Sequence, residues 1–292
     1  MNETLPTAPS ADSSPASGRI AFLGCGSMNE AILAGLLAAG TPAANMTATV
    51  RRTERAGELR GRYPGLTVLA ENEDPEANSK AVAGASVAVL GVKPAGITAL
   101  CRSIAPALEA QTVVVSVAAA VTIAAMEAAL PAGQPLVRTM PNTPLQVGRG
   151  AVGLSGGSHV SEVQLKEASA VFAGAGTVVM VPEEQLDAVG AVSGSGPAYA
   201  FYLAEAMAAA GVELGLEPAV AMTLARETVA GAGLMLAVEG ADPAALRKAV
   251  TSPNGTTERA IAAFDAAGLP AIIAAGARAA KERAAELSRE LG

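Results

Sequence analysis

The stretch Arg19-Ile20-Ala21-Phe22-Leu23-Gly24-Cys25-Gly26-Ser27-Met28-Asn29-Glu30 decides the fold. Ile20–Leu23 is a short apolar run that reads as a buried strand, and the segment from Ser27 to Ala39 reads as a helix stopped by Gly40. Between them stands Gly-x-Gly, a turn tight enough to bring backbone N–H groups and the positive end of a helix against a pyrophosphate. Such a turn also serves as a plain connection. Its place at the first strand–helix junction of an α/β chain is what gives it weight. The third position of the fingerprint is Asn29, where glycine or alanine is usual.

Outward from this turn, β-type runs at Thr47–Val50, Leu66–Leu69, Ser86–Leu90, Thr112–Val117 and Leu136–Met140 alternate with helical ones at Thr53–Arg62, Pro94–Leu108 and Ile123–Leu130. Val152–Leu154 and Thr177–Met180 are late strands flanking a Val160–Phe172 helix. Continuous apolar strands alternating with helices predict a mostly parallel sheet covered on both faces, a Rossmann-like α/β domain over residues 19–182. After Pro182 the strand signal stops. Glu183–Leu214, Pro218–Glu239, Pro243–Ala249, Thr257–Ala267 and Pro270–Leu291 read as helices, so residues 183–292 form an all-helical domain. Its Ala198–Gly211 segment has one charge, Glu205. A helix without a polar face needs cover on every side. A second subunit supplies that cover, or the helix is the centre of a one-chain bundle.

Composition narrows the chemistry. The 292 residues are 51% apolar and carry a net charge of −7, and no broad basic surface suits nucleic acid. With 3 Tyr, 4 Phe and no Trp there are too few rings for base stacking. One histidine, His159, excludes a multi-histidine metal site, and two distant cysteines, Cys25 and Cys101, make neither a disulfide scaffold nor a zinc knuckle. No metal is expected. The uncharged stretches Ala110–Met126 and Ala188–Ala204 fall short of the ~20 apolar residues a spanning helix needs. Residues 1–18 are Pro/Ser-rich without an apolar core and read as a disordered tail, which places the protein in the cytoplasm.

The end of the second strand speaks to the cofactor. An NAD site has an acid there, whereas arginine suits a 2′-phosphate. Here the strand runs into Arg51-Arg52-Thr53-Glu54-Arg55, so NADPH is expected; Arg60 and Arg62 read as a solvated face paired with glutamates. Gly91-Val92-Lys93-Pro94, Ser116-Val117-Ala118-Ala119 and Met140-Pro141-Asn142-Thr143-Pro144 all reach the same carboxyl edge of the sheet, where ligands of such folds bind. In the helical half, Ser193-Gly194-Ser195-Gly196-Pro197-Ala198-Tyr199 permits close backbone approach. Thr251-Ser252-Pro253-Asn254-Gly255-Thr256-Thr257-Glu258 reads as a turn entering a helix, with Thr256 and Thr257 as candidate caps and room for a carboxylate. His159 lies outside every motif.

Taken together, the glycine turn, Met140–Pro144, Ser193–Tyr199 and Ser252–Thr257 resemble the pyrroline-5-carboxylate reductase family over about residues 19–287. The resemblance implies reduction of the cyclic imine 1-pyrroline-5-carboxylate to L-proline by NAD(P)H; members use NADPH or NADH. It implies a homodimer through the helical domain, often assembled into larger rings. By motif, Gly24, Cys25, Gly26, Ser27, Met28 and Asn29 would cradle the pyrophosphate. Arg51, with Arg52 beside it, would meet the 2′-phosphate, and Asn78 would sit near the ribose. Val92, Lys93, Pro94 and Ala119 would border the nicotinamide. Ser252, Gly255 and Thr256 would bind the substrate carboxylate, Thr257 would act as the catalytic group on the ring nitrogen, and Glu183 would face the substrate. Asn29, Ala120, Asn254 and Gly190 depart from the usual family residues. Another NADP-dependent imine or β-hydroxyacid reductase, or a non-catalytic relative sensing NADPH or proline, remains compatible with the sequence.

Overall fold

A computed structural model describes residues 18–291. The tail lies outside the described residues apart from Gly18. Residues 18–194 with 280–291 form one compact unit, and Ser195–Ala279 form another.

The first unit is an eight-stranded sheet in the order β3-β2-β1-β4-β5-β6-β7-β8. Its strands are β1 (Ile20–Leu23), β2 (Met46–Val50), β3 (Thr67–Ala70), β4 (Val87–Leu90), β5 (Val113–Ser116), β6 (Leu136–Met140), β7 (Gly150–Gly156) and β8 (Gly176–Met180). All pairs are parallel except β6–β7. The period-2 pleat divides the core between the two faces. Ile20 and Phe22 of β1 join Ile32, Leu33, Leu36 and Phe172 on one side, while Ala21 and Leu23 join Val82, Ile97 and Ile104 on the other. The helices α1 (Ser27–Ala38), α2 (Thr53–Arg62), α3 (Ala77–Val82), α4 (Ile97–Ile104), α5 (Ile123–Glu127) and α6 (Glu162–Ala170) cover these faces. Because β1 lies between β2 and β4, chain direction across the sheet reverses there and a crevice opens at the carboxyl ends of β1 and β4.

Two expected helices are not single elements. Pro94–Leu108 is α4 between two 3₁₀ turns, each carrying a proline, Pro94 and Pro106. Glu183–Leu214 breaks into a 3₁₀ turn, α7 (Leu186–Val189), a π-helical segment Gly190–Gly194 and α8 (Gly196–Glu213). Small residues allow the break and let the segment approach Met140 closely: a Cβ on Gly194 would stand 2.6 Å from Met140 Cε. The Asn142 side chain also donates to the Ser193 carbonyl at 3.1 Å. The short α3 gave too little periodicity to be read from sequence.

The second unit holds α8, α9 (Pro218–Leu236), α10 (Pro243–Ala249), α11 (Thr256–Ala266) and the part of α12 (Leu269–Leu291) that runs to Ala279. Alanines pack α8 against α9, with Ala208, Ala221 and Ala225 buried. Phe201 is 66% and Tyr202 72% exposed, and Leu224 and Ile272 are open as well. Among the described residues these apolar side chains are left without cover. Among the described residues, α9 alone is a single helix long and apolar enough to cross a membrane, and α11 with α12 passes the same test as a bent pair. The pair Arg226–Glu227 interrupts α9 near its middle.

Candidate active site

The glycine turn sits in the crevice. Gly24 adopts φ +68°, and a Cβ there would stand 2.6 Å from Val92 Cγ1, so only glycine fits. Its N–H donates to Thr49 Oγ1 at 3.1 Å and the Cys25 N–H to the Thr49 carbonyl at 2.7 Å, tying the turn to β2. Gly26 is the N-cap of α1 and brings no side chain to the first N–H groups; the space where its Cβ would stand is open for 4 Å. An uncapped helix end with open space before it fits a pyrophosphate.

The side chains of this turn point elsewhere. Burial, with the Glu30 charge, pushes the Cys25 thiol up to about 12, and Met28 packs against the core. Asn29 is 1% exposed; its amide donates to the Leu23 carbonyl at 3.1 Å and to that of Val89 at 3.4 Å, while its Oδ1 is buried without a partner. Gly91 makes this possible, since a Cβ there would stand 2.4 Å from Asn29 Cγ. Cys25, Met28 and Asn29 therefore offer a phosphate only their backbones.

At the end of β2 the arginines divide. Glu30 of α1 pairs with Arg55 and Arg62 and accepts from Tyr63 Oη at 3.2 Å; Arg55 also pairs with Glu58 at 2.8 Å. Burial alone would raise the Glu30 carboxyl, but the two guanidinium groups hold it below the usual range. Arg62 is thus paired as expected. Arg60 is not: it donates to the Val68 carbonyl at 2.6 Å, because α2 lies over β3. Arg51 and Arg52 are exposed and make no ion pair among the described residues. They are the cations left for a phosphate. Asn78 lies in the first turn of α3, its Oδ1 accepting from Thr49 Oγ1 at 2.6 Å and its Nδ2 donating to Glu71 at 3.0 Å.

Lys93 precedes the 3₁₀ turn begun by Pro94, as the strand–helix reading expects, and both follow β4 at the crevice together with Val92. Ala119 is exposed in the loop after β5, next to Ala120 at φ +63°. Glu183 is already engaged: one carboxylate oxygen accepts from Arg138 Nη1 at 2.9 Å and from the Ile123 N–H at 2.7 Å. Arg138, buried on β6, also reaches Asp187 at 3.5 Å. This bracket holds β6, α5 and α7 together. Sequence reasoning missed it, although a lone cation in the apolar run Leu136–Met140 was the available signal. His159 is exposed, before α6.

In the helical unit, the turn before α11 is built by its own backbone. Asn254 takes φ +59°, the left-handed region asparagine tolerates. Its N–H donates to Glu258 at 2.8 Å, and the Gly255 N–H donates to the Ser252 carbonyl at 3.0 Å. A Cβ on Gly255 would stand 2.5 Å from Ser252 Oγ, so this position too requires glycine. The expectation that Thr256 and Thr257 cap the helix is corrected: Gly255 is the N-cap and makes no side-chain bond. The helix starts one residue earlier than expected, which puts both threonines inside it. The first N–H groups of α11 and the hydroxyls of Ser252, Thr256 and Thr257 make no hydrogen bond to other described side chains. The described residues hold no cluster of metal-ligating groups.

A glycine turn with an uncapped helix, at the switch point of a Rossmann sheet, defines a dinucleotide-binding protein. The family model described as pyrroline-5-carboxylate reductase dimerisation matches residues 183–287, and that described as NADP oxidoreductase, coenzyme F420-dependent, matches residues 19–120. The chain is 42% identical over 275 residues to a pyrroline-5-carboxylate reductase of Pseudomonas aeruginosa, covering 94% of this chain and 98% of that one. The solved structure of a pyrroline-5-carboxylate reductase from Coxiella burnetii superposes with TM-score 0.86 at 35% identity, covering 93% and 99% of the two chains. That of Plasmodium falciparum pyrroline carboxylate reductase with NADP bound, at 22% identity and TM-score 0.78 over 94% and 100%, shares the fold. The chain belongs to the pyrroline-5-carboxylate reductase family.

Proposed function

We propose that this chain reduces 1-pyrroline-5-carboxylate to L-proline, with NADPH preferred and NADH accepted. Beyond family membership, the observation that carries this reading is the turn before α11. It offers free N–H groups, two threonine hydroxyls and the positive end of an eleven-residue helix, a match for a small carboxylate. The Thr256 N–H and the Ser252 hydroxyl hold the carboxylate where the Gly255 backbone turns into the helix, and Thr257 orients the ring nitrogen. The protonated imine is already a good electrophile, so orientation is the main task of the side chains. When bound, the cofactor supplies the hydride. Gly24 to Asn29 hold its pyrophosphate and Arg51 and Arg52 its 2′-phosphate; Asn78 lies toward the ribose, and Val92, Lys93, Pro94 and Ala119 border the nicotinamide. Glu183 supports the site through Arg138 and Ile123.

The working form is a homodimer through the helical unit, assembled into a larger ring in the cytoplasm. The exposed apolar faces of α8, α9 and α12 support the dimer. Sedimentation at micromolar concentration tests it, a stable monomer being the result against it. For the chemistry, Thr257→Ala keeps a small side chain and removes the hydroxyl. Both kcat and kcat/KM should fall together if the hydroxyl acts in the transition state. Because Thr257 caps nothing, thermal unfolding should stay within about 0.5 kcal/mol of the parent. Full turnover in the alanine variant would end the assignment. Arg51→Ala should weaken NADPH roughly 10–150-fold with little change for NADH, since one charge-assisted contact is worth ~1.5–3 kcal/mol.

A further inference from the structure

The Rossmann rule places the residue that distinguishes the two cofactors at the end of the second strand. Here that position belongs to Arg51, and no acid stands on β2. An acid stands one strand over. β2 and β3 run parallel with Val50 paired to Ala70, so the next residues, Arg51 and Glu71, are neighbours across the ladder. The backbone confirms the register, with the Glu71 N–H on the Val50 carbonyl at 2.8 Å and the Asn72 N–H on that of Arg51 at 3.3 Å.

Glu71 is also the end of a polar chain whose direction is determined by donor bookkeeping. The Gly24 N–H donates to Thr49 Oγ1, so the hydroxyl proton of Thr49 goes to Asn78 Oδ1 at 2.6 Å. That leaves the amide nitrogen of Asn78 facing Glu71, to which it donates at 3.0 Å. Only one of the two Nδ2 protons is used in this way. Glu71 thus sets the orientation of Asn78 and connects it to the glycine turn. An open cavity of about 560 Å³ borders the chain and is lined by Glu71, Asn78, Ser79 and Ser103, so a ligand can reach these groups.

We propose that Glu71 is a specificity-determining residue that sets how strongly this chain prefers a phosphorylated over an unphosphorylated ribose. Its carboxylate opposes the charge of a 2′-phosphate held by Arg51, and through Asn78 it presents a fixed donor to a free 2′-hydroxyl. The chain thereby carries the cation reader just after β2 and the acid reader just after β3. The proposal rests on Arg51 meeting the 2′-phosphate, so both residues are tested together.

The experiment is calorimetric titration of the purified protein with NADPH and with NADH, at one ionic strength, without turnover. Glu71→Gln keeps the acceptor for Asn78 and removes the charge. It should tighten NADPH by about three- to tenfold, the scale of one charge removed near a phosphate across solvent, and leave NADH within twofold. Glu71→Ala removes the acceptor as well, and NADH should weaken at least threefold. Thr49→Val cuts the chain at its other end, next to the pyrophosphate turn common to both cofactors, and should weaken the two equally. An unchanged ratio of NADH to NADPH dissociation constants in Glu71→Gln would overturn the proposal. If Arg51→Ala weakens both cofactors alike, the 2′-phosphate reading itself fails. If Arg51→Ala is selective and Glu71→Gln is not, only the role of Glu71 fails.

Discussion

Asn29 and Gly91 are 62 positions apart in sequence and occupy one space. Replacing Gly91 by alanine puts a methyl 2.4 Å from Asn29 Cγ and Nδ2, far inside contact distance. The amide must leave, and with it go its hydrogen bonds to the Leu23 and Val89 carbonyls. Two buried neutral hydrogen bonds at about 1 kcal/mol each, with about 1–2 kcal/mol of overpacking, make Gly91→Ala cost about 3–4 kcal/mol. Asn29→Ala loses the same two bonds but also removes the unpartnered Oδ1, whose burial costs about 1 kcal/mol, so its net cost is about 1 kcal/mol. In the double variant the new methyl enters the space the amide vacated. The pair should then cost about 1–2 kcal/mol, a coupling of about 3 kcal/mol. Urea unfolding followed by far-ultraviolet circular dichroism, at matched protein concentration, measures all three. Additive single effects, within about 0.5 kcal/mol, would refute the idea that one residue makes room for the other.

Arg138→Met leaves Glu183 and Asp187 without their buried cation and should cost about 2–3 kcal/mol; Arg138→Lys should recover only part, because one ammonium does not fork to both acids. Asn254→Gly should be neutral within about 0.5 kcal/mol, whereas Asn254→Val, a branched residue at φ +59°, should lose about 1–2 kcal/mol and weaken substrate binding. Both are read by thermal unfolding and KM. For Glu30, whose carboxyl is held below the usual range, the stabilisation is present above the unfolded-state value near 4.3 and is lost as pH falls through the folded one. Glu30→Gln should therefore be less stable than the parent at neutral pH, and the difference should shrink in unfolding curves taken at progressively acidic pH. A difference independent of pH would count against the arginine pairing.

The sheet was legible because its strands are apolar runs with turn residues between them, and the position of Gly24 followed from that order alone. Loops carrying Lys93, Ala119 and Asn142 were assigned to one edge for the same topological reason. What escaped depends on which donor meets which acceptor. Nothing local marks Gly91 as the complement of Asn29, or Glu71 as the partner of Asn78, since both pairings exist only after parallel strands align. The caps misplaced at Thr256 and Thr257 show a boundary problem: hydroxyl residues favour N-caps by propensity, but here the close approach of Gly255 to Ser252 moved the helix start by one residue. The π segment had a readable cause in Gly190, Gly194 and Gly196, yet apolar periodicity across it favoured an unbroken helix.

Both cysteines of this chain are chemically silent: Cys25 is 2% and Cys101 0% exposed, with thiols pushed up to about 12 and about 11 by burial. A thiolate is the reactive form, so neither alkylates while the fold is closed. Cys25, however, lies between the two glycines of the turn. Its reaction with a maleimide then becomes a clock for local opening of the crevice, and any ligand that seals the turn should slow that clock while leaving Cys101 as an internal standard. The protein carries its own reporter, and no label need be introduced to watch the site open.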